Sequence, residues 1–130
     1  MKPFRLLQLI IVCSFIFFSF SNQKENTERI VLHKHSNGKA KMVVYVKPGT
    51  QEIVFEELFF ESGRLNYSGS YKNDVEHGTW TYYWPSGNLK LTETYSNGLE
   101  EGISKHYNEQ GKLTKEVTYS KGNVVKEVMR

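Results

Sequence analysis

The chain has 130 residues, 17 lysines and arginines against 14 acidic residues, and a single cysteine. That length holds one small domain and a leader peptide, a net charge of +3 is no nucleic-acid footprint, and one cysteine excludes a disulfide framework. Hydrophobic residues make up 38% of the chain, concentrated at the N-terminus; the remainder, rich in Tyr, Thr, Lys and Glu, suits a thin single-layer sheet better than a thick core.

Met1 to Ser21 has the layout of a secretory signal. Lys2 and Arg5 form a positive start, Leu6 to Phe20 is an apolar run broken only by Gln8 and Ser14, and Ser19 and Ser21 offer small residues for cleavage before Asn22. The run is shorter than the roughly 20 residues that span a bilayer, so export is expected rather than an uncleaved anchor. Cys13 follows Val12 and precedes Ser14 and a further apolar stretch, which is not the setting of a lipidated cysteine. Cleavage would leave a chain without cysteine and with a charge of about +1, since Lys2 and Arg5 depart with the leader.

Asn22 to Arg29 is polar and aperiodic, and reads as a tether. From Ile30 onward short alternating segments take over. Ile30 to His35 and Ala40 to Lys47 are strand candidates about a turn of the Asn-Gly kind at Ser36 to Lys39; Pro48-Gly49-Thr50 breaks the second, and Glu52 to Phe60 makes the next. Residues 30–60 form a divergent cap. The repeats occupy residues 61–130, and from Phe59 onward the chain superimposes on itself at an offset of 24 without a gap: Leu65, Leu89 and Leu113; Gly63, Gly87 and Gly111; Tyr71, Tyr95 and Tyr119; Phe59, Tyr83 and Tyr107; Asp74, Gly98 and Gly122; Gly78 and Gly102. A fixed period of this size marks a repeat sheet in which each unit buries its apolar side only against its neighbours.

Each unit predicts two strands. The first strands are Leu65 to Tyr71, Leu89 to Tyr95 and Leu113 to Tyr119; the second are Gly78 to Trp84, Gly102 to Tyr107 and the fragment Val124 to Met129. Turns fall at Glu61 to Arg64, Pro85 to Asn88 and Glu109 to Lys112, with longer loops at Lys72 to His77, Ser96 to Glu101 and Ser120 to Asn123. The expected fold is all-β: an elongated antiparallel meander of β-hairpin repeats, about eight strands in one twisted layer. Strand alternation puts each recurring Leu and Tyr, with Tyr67, Leu91 and Val117, on an apolar face. It also places Trp80, Tyr82 and Trp84 on one face and Tyr83 on the other.

The stretch from Tyr71 to Gly87, with His77-Gly78 followed by Trp80 and Tyr82, resembles a MORN repeat. The array from about His33 to the C-terminus resembles the bacterial MORN-variant proteins often named YwqK-type antitoxins. Trp80 and Ser104 stand where typical MORN repeats carry a second glycine, which fits the variant class rather than the lipid-associated one. The resemblance implies an elongated hairpin sheet used for protein contacts and not for catalysis.

His33 and His35 lie two apart on a predicted strand and could hold two corners of a metal site, but nothing in the sequence converges on them; they read as solvated strand histidines, with no metal or cofactor expected. Glu56 with Glu57 and Glu100 with Glu101 are adjacent pairs whose side chains diverge, so neither is an acid and base dyad. No nucleophile elbow, phosphate loop or cysteine nucleophile is present, and no enzyme is expected. The binding candidates are Trp80, Tyr82, Tyr83 and Trp84, because Trp and Tyr dominate binding hot spots. Lys112, Lys115, Lys121 and Lys126 give a mildly basic end that discourages strand addition. The expectation is an exported, non-enzymatic module that binds an unidentified protein in the periplasm or cell envelope, with no nucleic acid involved. A cognate toxin as partner, or a glycan, cell-wall polymer or lipid headgroup as ligand, are the alternatives.

Overall fold

The computed structural model describes residues 26–130; the segment expected to be a leader, the expected cleavage site and Cys13 lie outside them. Ten strands, β1 (Glu28–Lys34), β2 (Ala40–Val46), β3 (Ile53–Phe59), β4 (Leu65–Lys72), β5 (Val75–Tyr83), β6 (Leu89–Ser96), β7 (Leu99–Glu100), β8 (Gly102–Tyr107), β9 (Leu113–Ser120) and β10 (Asn123–Met129), form one open antiparallel sheet. Their order is sequential from β1 to β10, with the two-residue β7 pairing β6 just before β8 takes over the same edge. The described residues contain no helix. Pairing starts at Glu28, opposite Val46, so the sheet takes in the last two residues of the expected tether.

The recurring columns turn out to be cross-strand partners. Phe59 faces Leu65, Tyr83 faces Leu89 and Tyr107 faces Leu113, and each pair brackets a five-residue connection that contains a four-residue turn. In those turns Gly63, Gly87 and Gly111 donate their N–H to the carbonyls of Phe60, Trp84 and Asn108 at 2.8, 2.8 and 2.9 Å. The register slips at the same point in every unit, between Leu58 and Phe59, Tyr82 and Tyr83, and His106 and Tyr107. A bulge there breaks the strict alternation that would carry one face from Tyr through to Leu.

The segments expected as longer loops are two-residue hairpin turns. Asn73 and Asp74 (φ 53 and 61), Asn97 and Gly98 (φ 51 and 78), and Lys121 and Gly122 (φ 51 and 77) are left-handed at both central positions. This is the type I′ geometry that matches the right-handed twist of the flanking strands. The second strands therefore begin at Val75, Leu99 and Asn123 rather than at Gly78, Gly102 and Val124. The Asn37-Gly38 turn is different, since only Gly38 is left-handed there and the loop closes with His35 N–H donating to Lys39 O at 2.8 Å.

Successive turns are stitched together along the edge of the sheet. Gly98 N–H donates to Glu76 O and Gly122 N–H to Glu100 O, both at 2.9 Å, so each I′ turn hangs on the strand that leaves the previous one. On the opposite edge Asn37 Nδ2 reaches Glu61 O at 2.9 Å, Arg64 reaches the carbonyls of Pro85 and Ser86 at 3.0 and 2.9 Å, and Asn88 Nδ2 reaches Glu109 O at 2.6 Å. Side-chain amides and a guanidinium thus satisfy turn carbonyls that the ladder leaves open.

The core lies in patches along the sheet. Val43, Val44, Tyr45 and Val46 of β2 are buried on both faces, Trp80 is 6% exposed, and Val117 packs beside Ser104 with both nearly sealed. Trp80 lies directly on Gly69 of β4: a Cβ built on Gly69 would stand 2.0 Å from the indole Cδ2. Gly69→Ala is therefore expected to destabilise the fold by about 1 to 3 kcal/mol, the range of core overpacking, measured as the shift of the urea midpoint. A change below about 0.5 kcal/mol, the size of an indifferent surface substitution, would mean that the indole does not need the bare backbone.

Candidate functional site

Hairpin pairing gathers side chains from β3 to β7 onto one face. Glu56 pairs Gly69, Tyr67 pairs Tyr82, Tyr71 pairs Glu76, Trp80 pairs Glu93, Tyr82 pairs Leu91, and Tyr95 pairs both Gly78 and Glu100. At the centre the Trp80 ring has centroids of Tyr71, Tyr67 and Tyr95 at 5.4, 5.8 and 6.1 Å, two of the three edge-on. Tyr82 extends the group through Tyr67 at 5.7 Å. The indole Nε1 donates to Ser70 O at 3.3 Å. Trp80 is buried while the four tyrosines around it are half-buried, so they form a collar about the indole.

Those hydroxyls find carboxylates. Tyr67 Oη donates to Glu56 at 2.5 Å and Tyr95 Oη to Glu93 at 3.1 Å. Burial first, then the hydrogen bond and charge of Glu56, holds Tyr67 well above the ordinary phenol range. Burial, followed by the charges of Glu56 and Glu76, pushes Tyr71 up to about 12. Burial and Glu93 push Tyr82 up to about 12 and raise Tyr95 further. Glu100 is raised by burial and by the like charge of Glu93. The face therefore carries four carboxylates and a ring of phenols that stay protonated donors throughout the neutral range.

The four candidate binding residues are not brought together. Trp80 and Tyr82 share the collar face, and Trp80 is its floor rather than its surface. Tyr83, beyond the register slip, pairs Leu89. Trp84 lies past the end of β5, inside the turn, so alternation along the strand does not reach it. Its Nε1 donates to Tyr107 O at 3.1 Å and the Lys90 ammonium stands 4.6 Å from its ring, which makes it a tie between neighbouring turns. The collar adds Tyr67, Tyr71 and Tyr95 with Glu56, Glu76, Glu93 and Glu100. The signal for them was the shared parity of Leu91, Glu93 and Tyr95 on one strand, together with hairpin pairing.

His33 is exposed on β1, next to register shifts on both sides, and His35 sits at the turn with Nε2 2.9 Å from Phe59 O. Among the described residues no group of three or more His, Cys, Asp or Glu is arranged to hold a metal ion. At the basic end Lys115 reaches Glu127 at 3.7 Å and Arg130 pairs Glu116.

The raised phenols make stability pH-dependent in a definite direction. The fold favours the neutral phenol, so the folded chain keeps protons that the unfolded chain releases near the ordinary value of 10.0. That stability is fully present below pH 10.0 and is lost as pH rises through about 12. Urea midpoints should hold steady up to that lower limit and fall above it, and the Tyr71→Phe/Tyr82→Phe pair should flatten the fall. An equal slope in that variant would locate the alkaline sensitivity elsewhere.

The model of the family described as MORN repeat variant matches residues 76–97 and 100–121. The chain matches no curated protein. Among solved structures it is similar to the crystal structure of TarM and to that of an S. aureus TarM mutant in complex with Fondaparinux, alpha-GlcNAc-glycerol and UDP. Both are 16% identical with a TM-score of 0.40, a likeness too loose to carry any argument; they cover 89% of this chain, which spans only 23% and 24% of theirs. The two family matches begin at Glu76 and Glu100 and end at the I′ turn residues Asn97 and Lys121, which is the frame set by the Gly98 and Gly122 hydrogen bonds. Residues 76–97 and 100–121 are thus two repeats of the MORN variant type.

Proposed function

We propose that this protein is a non-enzymatic binding module that is exported to the cell envelope and holds another protein against the tyrosine collar around Trp80. The observation that carries this reading is the collar itself. Four tyrosines stand half-exposed on an open sheet face, anchored from below by a buried tryptophan and from the side by carboxylates. Tyrosine offers a large rigid contact area at low entropic cost and a hydroxyl for the rim, the combination that recurs in binding hot spots. MORN repeats are consistent with such a role. Export is supported by the layout of Met1 to Ser21.

Affinity capture from envelope extract with the purified chain tests the reading. Tyr82→Ala should remove the captured partner while circular dichroism stays unchanged, and Thr94→Ala, an exposed change on the other face, should leave capture intact. Equal loss in both variants would mean that the collar is not the contact. Identification of the partner as a protein toxic to the cell would extend the reading to an immunity role, as for the antitoxins that the chain resembles.

A further inference from the structure

We propose that the collar face takes a lysine- or arginine-rich extended segment of the partner, laid across strands β3 to β6. The inference rests on the reading of this face as the protein-binding surface and adds the chemistry of what binds there. On this face from β3 to β7 the charged side chains are Glu56, Glu76, Glu93 and Glu100, and none is basic. Next on the same side, His106 of β8 pairs Leu91, and burial and then Lys115 hold its imidazole toward the neutral form; Lys115 of β9, one strand further, is 3.7 Å from Glu127. Among the described residues the ion pairs Lys47–Glu52, Lys115–Glu127 and Arg130–Glu116 involve none of the four carboxylates of the collar face. Two of them, Glu56 and Glu93, accept from phenol hydroxyls, which satisfy lone pairs but leave the charge in place.

Three features turn that negative field into a fitted surface. The carboxylates alternate with partly desolvated aromatic rings, and an ammonium or guanidinium gains from both. The two hydroxyl-held carboxylates, Glu56 on β3 and Glu93 on β6, are three strand spacings apart, about 14 Å. An extended peptide covers that distance in four residues at about 3.4 Å each, so basic residues at positions i and i+4 meet both. Finally, burial and then the like charge of neighbouring Glu93 raise Glu100 above the ordinary carboxylate range, and a bound cation relieves the second of these. The strands in question are paired on both sides within the sheet, so the segment lies on the face and does not add to an edge.

The test uses fluorescence anisotropy of a labelled nine-residue peptide, Lys-Ser-Gly-Ser-Lys-Ser-Gly-Ser-Lys, against the purified chain, with matched peptides carrying Gln or Glu in place of Lys. The lysine peptide should bind about tenfold or more tightly than the Gln peptide, and the Glu peptide should not bind. Glu93→Gln with Glu100→Gln keeps the hydrogen-bond acceptors while removing charge, and should weaken the lysine peptide about tenfold. Glu109→Gln, in an exposed turn off the face, should leave it unchanged. Equal binding of Lys and Gln peptides, no effect of the double variant, or no binding of any peptide would overturn the cationic segment. If in that case Tyr82→Ala still abolished envelope capture, the collar would stand as the contact with a partner of different chemistry. If Tyr82→Ala changed neither capture nor peptide binding, the reading of the face would fail as well.

Discussion

A single-layer sheet has no second layer to seal its apolar face, and here the seal is made by one side chain lying flat on bare backbone. Trp80 covers Gly69 so closely that no Cβ fits between them. This contact places a broad hydrophobic plate over the centre of β4 and β5, and Tyr67, Tyr71 and Tyr95 pack against its edges. Without the glycine the indole would stand off the sheet, the tyrosines would lose their common neighbour, and their hydroxyls would no longer be aimed at Glu56 and Glu93. The next repeat solves the same problem on a smaller scale, with Ser104 where Trp80 stands and Val117 opposite it, both nearly sealed. Burial in this protein is therefore local to each hairpin pair, as in other repeat arrays in which each unit contacts only its neighbours.

The rest of the architecture follows from turns. Two kinds alternate, the four-residue turns and the I′ turns, and each kind forms its own column of hydrogen bonds at one edge of the sheet. Those columns do what a second layer does in a thicker fold, since they fix the spacing and twist of consecutive hairpins through polar contacts. Because neighbouring strands are also neighbours in sequence, every such contact closes a short loop, and the entropic cost of closure stays low. The ends of the array remain open. β10 exposes Val124, Val125 and Met129, and β1 exposes Ile30 and Leu32, while Lys126 and Lys34 place charge on those same strands, a common means of discouraging edge pairing.

The 24-residue columns made the meander legible in the sequence, because a short fixed period with turn formers held in register marks stacked hairpin units; that Phe59 faces Leu65 was not legible there. The all-β class and the sequential strand order followed from the same pattern. Two further things were hidden. Asn73-Asp74 and Lys121-Gly122 look like pieces of longer loops in a sequence, because what makes them I′ turns is a pair of positive φ angles that only one of the three turns advertises with Asn-Gly. The collar was hidden by polarity. Alternation rules send glutamate to the wet face, yet Glu56 and Glu93 stand among tyrosines because the phenol hydroxyls supply donors there. Trp84, by contrast, looked like part of the aromatic surface and is a tie between turns, since one bulge and the end of β5 take it off the strand.

The pairing of phenol and carboxylate also bears on what such a face is suited to do. A carboxylate free in solvent must be immobilised when it meets a partner, and each long side chain so fixed costs about 0.5 to 1.5 kcal/mol. Glu56 and Glu93 are already fixed by Tyr67 and Tyr95, so that ordering is complete before any partner arrives. The phenols for their part are held neutral by burial and by the carboxylates beside them, which keeps them as donors and removes them as bases. A surface of fixed acceptors and neutral donors suits the recognition proposed for it. Built on a sheet whose units repeat every 24 residues, it presents that pattern on rigid strands rather than on loops, so the geometry offered to a partner is the geometry of the fold.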